Sequence, residues 1–93
     1  MSTVQYDVLS VYVTATGALG TSGRCRIKGV YYVASGAGDL EFRDGSATGP
    51  VRLQMAIPAS GAGLSVVPGE GILCQGDPYL TITGAAKVTV YYG

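Results

Sequence analysis

Apolar and polar residues alternate along this chain with a period of two, which leaves little room for anything but β-structure. Val, Ile, Thr and Tyr fill the alternating stretches, and clusters of Gly, Pro and Asp separate them. No window carries a 3.6-residue apolar period with capping residues at its ends. The spacing predicts strands over 3–14, 23–34, 39–44, 51–57, 64–67, 71–75, 79–83 and 87–92. Such a string of short strands implies an all-β antiparallel β-sandwich, or a jelly-roll-like fold, with seven to eight strands. The 93 residues suffice for one domain, 1–93. Within it, 1–23 reads as an N-terminal strand followed by a small-residue loop, a candidate attachment or exchange segment.

Two local registers follow from the alternation. A turn at Ser35-Gly36-Ala37-Gly38 would pair Val33 with Leu40 and Tyr31 with Phe42. It would gather Cys25, Ile27, Tyr31, Val33, Leu40 and Phe42 on an inner face. Arg24, Arg26, Lys28, Tyr32, Asp39, Glu41 and Arg43 would then face out. A three-residue loop, Gly84-Ala85-Ala86, would place Ile82 opposite Val88 and Leu80 opposite Val90. Tyr79, Thr81, Thr83, Lys87, Thr89 and Tyr91 would form the outer face of that hairpin. Val51, Leu53, Met55 and Ile57 form a further inward row, with Arg52 and Gln54 outward. Uncharged small residues fill Thr14 to Gly23 and Pro58 to Gly63, which read as loops that are either flexible tips or flat contacts with a neighbouring subunit.

Composition narrows the function. The chain has no His, so an imidazole base and a His-ligated metal are excluded. Lys+Arg and Asp+Glu are both 6, so a long electrostatic footprint on nucleic acid is not expected. Only 13% of residues are charged while 47% are hydrophobic, a surface suited to association. The N-terminal Met-Ser-Thr-Val-Gln-Tyr-Asp lacks the basic and apolar regions of a signal peptide, and the longest apolar run, Val30 to Ala34, is too short to span a bilayer. A soluble protein made in the cytoplasm, with no membrane partner, is the expectation.

No cluster of residues carries recognisable chemistry. Cys25 and Cys74 read as two small buried hydrophobes under reducing conditions, with a disulfide as the alternative. The basic row Arg24, Arg26 and Lys28, with Tyr32 as a stacking ring, suggests nucleic acid, but Asp39 and Glu41 on the expected partner strand would offset it. Asp7, Asp39, Glu41, Asp44, Glu70 and Asp77 include no carboxylate pair placed in a cleft. Gly36-Ala37-Gly38 and Gly69-Glu70-Gly71 lack the third glycine and the following helix of a dinucleotide fingerprint. No catalytic residue, metal ligand or cofactor is therefore assigned. Seven Tyr against one Phe, by contrast, supply the apolar area with a polar tip that suits interfaces. Val4, Tyr6, Val8, Tyr12, Tyr32, Tyr79 and Tyr91 are the candidate interface residues.

From about Arg24 onward the order of motifs resembles small virion structural proteins of tailed bacteriophages. The resemblance runs through Arg26-Ile27-Lys28-Gly29-Val30-Tyr31-Tyr32, Arg43-Asp44-Gly45-Ser46, the strand from Val51 to Pro58 and Pro68-Gly69-Glu70-Gly71-Ile72-Leu73. It closes with Tyr79-Leu80-Thr81-Ile82-Thr83-Gly84 and Val88-Thr89-Val90-Tyr91-Tyr92-Gly93. It implies a compact antiparallel β domain without active-site residues. The expectation is a non-enzymatic capsid decoration or cement protein on the virion surface, bound to the major capsid protein or other virion proteins as a homo-oligomer, with a trimer guessed. A tail, head–tail joining or fibre-associated module is the alternative, and a carbohydrate-binding β-sandwich a second one.

Overall fold

A computed structural model describes residues 8–21 and 23–93. Among them there are seven strands and no helix: β1 (Leu9–Val13), β2 (Gly17–Ala18), β3 (Cys25–Asp44), β4 (Val51–Ile57), β5 (Gly61–Val66), β6 (Ile72–Cys74) and β7 (Pro78–Tyr92). All pairings are antiparallel and belong to one sheet.

Two strands dominate. β3 has 20 residues and β7 has 15, and they pair with each other from Ile27–Tyr92 at one end to Asp44–Pro78 at the other. On its free edge β3 receives β6, β5 and β4 in turn; β7 receives β1 and β2. At a rise of about 3.3 Å per residue, a straight β3 would be about 66 Å long. The molecule measures 43 Å in its longest direction, so the strand must bend. It does so where its pairing with β7 slips, between Ala34 and Asp39. Gly36 and Gly38 lie on that stretch, and Gly84 (φ +99°) faces it from β7. The same line is continued by the turn between Ile57 and Gly61 on the far side of β3.

Bending folds the sheet into two layers. One half contains β5, β3 up to Ala34, β7 from Ala86 and β1; the other contains β4, β3 from Gly38, β7 up to Thr83 and β2. Their inner faces share one core. Ile27, Val30, Val88 and Val90 come from the first half, and Leu40, Phe42, Ile57 and Leu80 from the second. This is a sandwich-like arrangement made from one folded sheet. Each fully buried Leu, Val or Phe contributes about 1.5–3 kcal/mol. Two ion pairs occur among the described residues, Arg43–Glu41 with both side chains partly exposed and Arg52–Asp44 with Arg52 exposed and the Asp44 side chain largely covered.

Both expected hairpins are corrected. Ser35-Gly36-Ala37-Gly38 is a bend inside β3, and Gly84-Ala85-Ala86 a bend inside β7, so neither joins two strands paired with each other. Val33 pairs with Lys87 and Ala62, and Leu40 with Ile82 and Met55. The inward set survives in β7, where Leu80, Val88 and Val90 are fully buried and Ile82 packs on the core. It fails in the first half of β3. The register slips between Ile27 and Gly29, leaving Lys28 as an extra residue that inverts the alternation. Val30 and Ala34 therefore point inward and Tyr32 packs against the core, whereas Tyr31 and Val33, expected inside, are exposed. Val51 is also exposed, at the start of an otherwise inward row. The two expected loops each hold strand: Gly17–Ala18 forms β2, and β5 begins at Gly61.

Candidate interaction surface

The two outer faces of the folded sheet differ in chemistry. On the half carrying β4, register places Ala56, Asp39 and Thr83 in one cross-strand row, then Gln54, Glu41 and Thr81, then Val51, Arg43, Tyr79 and Ala18. Arg43 donates to the Glu41 carboxylate at 3.3 Å and to the Gly49 carbonyl at 3.0 Å. Such a mixed-charge surface is ordinary for a solvated sheet face.

The opposite outer face has different rows. Val66, Gly29, Tyr91 and Ser10 form one; Leu64, Tyr31, Thr89 and Tyr12 form the next; Ala62, Val33 and Lys87 form the third. Lys87 is the single charged residue in these rows. Val66 is 70% exposed, Leu64 61%, Tyr12 62%, Val33 46% and Tyr31 40%. Together these five side chains present on the order of 500 Å² of apolar surface, a patch size that on a monomer is often functional. The physical cause is the Lys28 bulge: by inverting the phase of β3 it turns Tyr31 and Val33 outward, beside Leu64 and Val66 of β5.

The seven candidate interface residues divide among several places. Tyr12 and Tyr91 lie on the apolar face, and Val8 is exposed just ahead of β1. Tyr79 belongs to the charged face. Tyr32 is turned inward, with its hydroxyl against Gly63, where a β-carbon would stand 2.7 Å from it. Val4 and Tyr6 lie outside the described residues. Val33, Tyr31, Leu64 and Val66 were not singled out as interface residues. The run Val30 to Ala34 is apolar at every position, so it carries no phase, and the only hint of the inversion is the charged Lys28 beside Gly29.

At the end of the sandwich away from the bend, carboxylates fasten loops. Asp44 accepts hydrogen bonds from the Gly76 and Gln75 amides at 2.8 and 3.0 Å and pairs with Arg52 at 3.0 Å. These bonds, the Gly76 amide first, hold its carboxyl below the usual range. Asp77 accepts from the Gly20 and Thr21 amides at 3.1 Å and from the Thr21 hydroxyl at 3.0 Å. Both have their acceptors occupied by backbone, as turn residues do. Cys25 and Cys74 are free, buried and directly opposite each other across β3 and β6. Burial raises both thiols, and Cys74 is pushed up to about 11, further helped by the nearby Asp44 charge. Thiols held protonated in this way are poor nucleophiles. No group of three or more His, Cys, Asp or Glu among the described residues could hold a metal ion.

Comparison of the chain with protein-family models, curated proteins and solved structures finds no match.

Proposed function

We propose that this chain is a non-enzymatic structural protein of a tailed-phage virion, a decoration protein that binds the capsid lattice in many copies and stabilises it. The observation that carries the structural role is the contrast between the two outer faces: one is charged and solvated in the ordinary way, the other nearly uncharged with its largest side chains uncovered. Burying that face against a flat partner removes apolar area from water, and a stable contact needs about 800 Å² per partner. The five exposed side chains with their rim of Tyr91, Thr89, Ala62 and Ser10 are on that scale. Assignment to the phage head rests on the order of strand and turn motifs from Arg24 onward. In this reading the face of β5, β3, β7 and β1 meets the major capsid protein, and neighbouring copies associate as a small oligomer. The most exposed of the five side chains is aliphatic Val66, and Leu64 and Val33 stand uncovered beside the rings of Tyr12 and Tyr31, which favours protein over carbohydrate as the partner.

The test is to mix the protein with undecorated capsids of the phage that encodes it and image them by electron microscopy. Regular added density on the shell is expected, and its loss with the Leu64→Glu/Val66→Lys variant. Bare shells after mixing would overturn the decoration reading. A gel of purified virions separates the alternative: hundreds of copies per particle fit the head, and a handful fit a tail part.

A further inference from the structure

An open groove of about 790 Å³ lies at the end of the sandwich that carries the start of β3. Arg24, Arg26 and Lys28 line it, with Leu9 and Tyr92 as apolar wall and Glu70 at the turn beyond. The row was expected to be offset by Asp39 and Glu41 on a paired strand. The continuous β3 removes that partner: Asp39 and Glu41 pair with β4 and β7 beyond the bend, and Glu41 bonds Arg43. None of the three groove cations makes a salt bridge within the described residues. Half of the six Lys and Arg of a chain with zero formal charge thus line one groove, and Glu70 is the one carboxylate side chain among the described residues that line it.

We propose that this groove binds an extended acidic segment of a protein partner, with carboxylates at alternate positions and apolar residues between. Arg24 and Arg26 are two residues apart on an extended backbone, a separation of about 6–7 Å. Carboxylates at i and i+2 of an extended peptide have the same spacing, and guanidinium groups donate to them in bidentate fashion. The intervening side chains of such a segment then meet Leu9 and Tyr92. Nucleic acid fits less well, because three cations neutralise few phosphates of a continuous polyanion. The inference is independent of the capsid reading and stands on the groove alone.

The experiment titrates the full chain with a synthetic Asp-Val-Asp-Val-Asp-Val peptide, followed by amide chemical shifts, beside single-stranded DNA of equal charge. Shifts confined to residues 24–28, 69–70 and 92–93 are expected. Binding should weaken at least tenfold between 50 and 300 mM salt and in the Arg24→Ala/Arg26→Ala variant, and strengthen several-fold in Glu70→Gln. The Glu70 variant lies on an exposed turn, so it keeps the test open should the double variant unfold. No groove shifts at millimolar peptide, no response to Glu70→Gln, or tighter binding of the DNA would each overturn the proposal.

Discussion

Gly38 lies directly against the main-chain carbonyl of Thr83, so that a β-carbon on Gly38 would overlap the oxygen. The contact exists because β3 and β7 bend together at this level, and their backbones close where no side chain fits. Gly38→Ala should therefore cost about 3 kcal/mol or more, because the obstacle is backbone and cannot swing aside. Gly36→Ala is the internal comparison. Its β-carbon would meet Ala85 at 3.3 Å, a crowding that small shifts relieve, and a change within about 1 kcal/mol is expected. Urea denaturation of the two variants checks the difference, and equal midpoints would contradict a bend closed at Gly38.

Lys28 is the residue that sets the phase of the first half of β3. Deleting it removes the extra residue, so strict alternation running from Ile27 directly into Gly29 would keep Val30 and Ala34 inward and Tyr31 and Val33 outward. A cooperative thermal transition is therefore expected for the deletion, with the same inward set in β3. Lys28→Ala keeps the bulge and should stay within about 0.5 kcal/mol of the parent. Loss of the cooperative transition in the deletion variant would contradict the assignment of Lys28 as the extra residue.

Asp77 ties the segment after β2 to the turn before β7 through bonds from Gly20 and Thr21. Asp77→Ala leaves those donors without a partner and should destabilise by about 1–3 kcal/mol. Hydrogen exchange should rise at the Gly20 and Thr21 amides more than in the core. Uniformly raised exchange would mean that the latch is part of the global unit instead.

Cys25 and Cys74 predict an alkaline loss of stability. Burial raises both thiols in the folded chain above their ordinary value of 9.0, Cys74 to about 11. The unfolded chain therefore releases its thiol protons first as the pH climbs. Their contribution is fully present below about pH 9 and lost as the pH rises toward 11. Melting temperatures at pH 8, 9.5 and 11 should fall more steeply for the parent than for Cys25→Ala/Cys74→Ala, which removes the thiols but keeps the Tyr and Lys titrations. Parallel slopes would refute the assignment.

Alternation told correctly that the fold is antiparallel β, and it selected Leu40, Phe42, Leu80, Val88 and Val90 as core. It misjudged how the segments connect. The two arms of a hairpin and the two halves of one bent strand place the same residues inward, so a period-two pattern on either side of Ser35–Gly38 or Gly84–Ala86 fits both. Of the apolar face, Tyr12 and Tyr91 are among the candidates that the sequence singles out. Tyr31 and Val33 were hidden in a run with no polar residue to mark its phase.

Side-chain chemistry along the chain decided that this protein forms strands, which residues in the clearly alternating stretches avoid water, and that imidazole chemistry is absent. These follow from local properties of each residue and its neighbours two positions away. The tertiary structure alone decided that β3 and β7 are continuous, that a bulge at Lys28 turns an apolar row outward, and that Arg24, Arg26 and Lys28 are free of Asp39 and Glu41. Those outcomes depend on which backbone donors and acceptors distant in the chain find each other, and on how a sheet bends to bury its inner face, neither of which is encoded in any short window of residues.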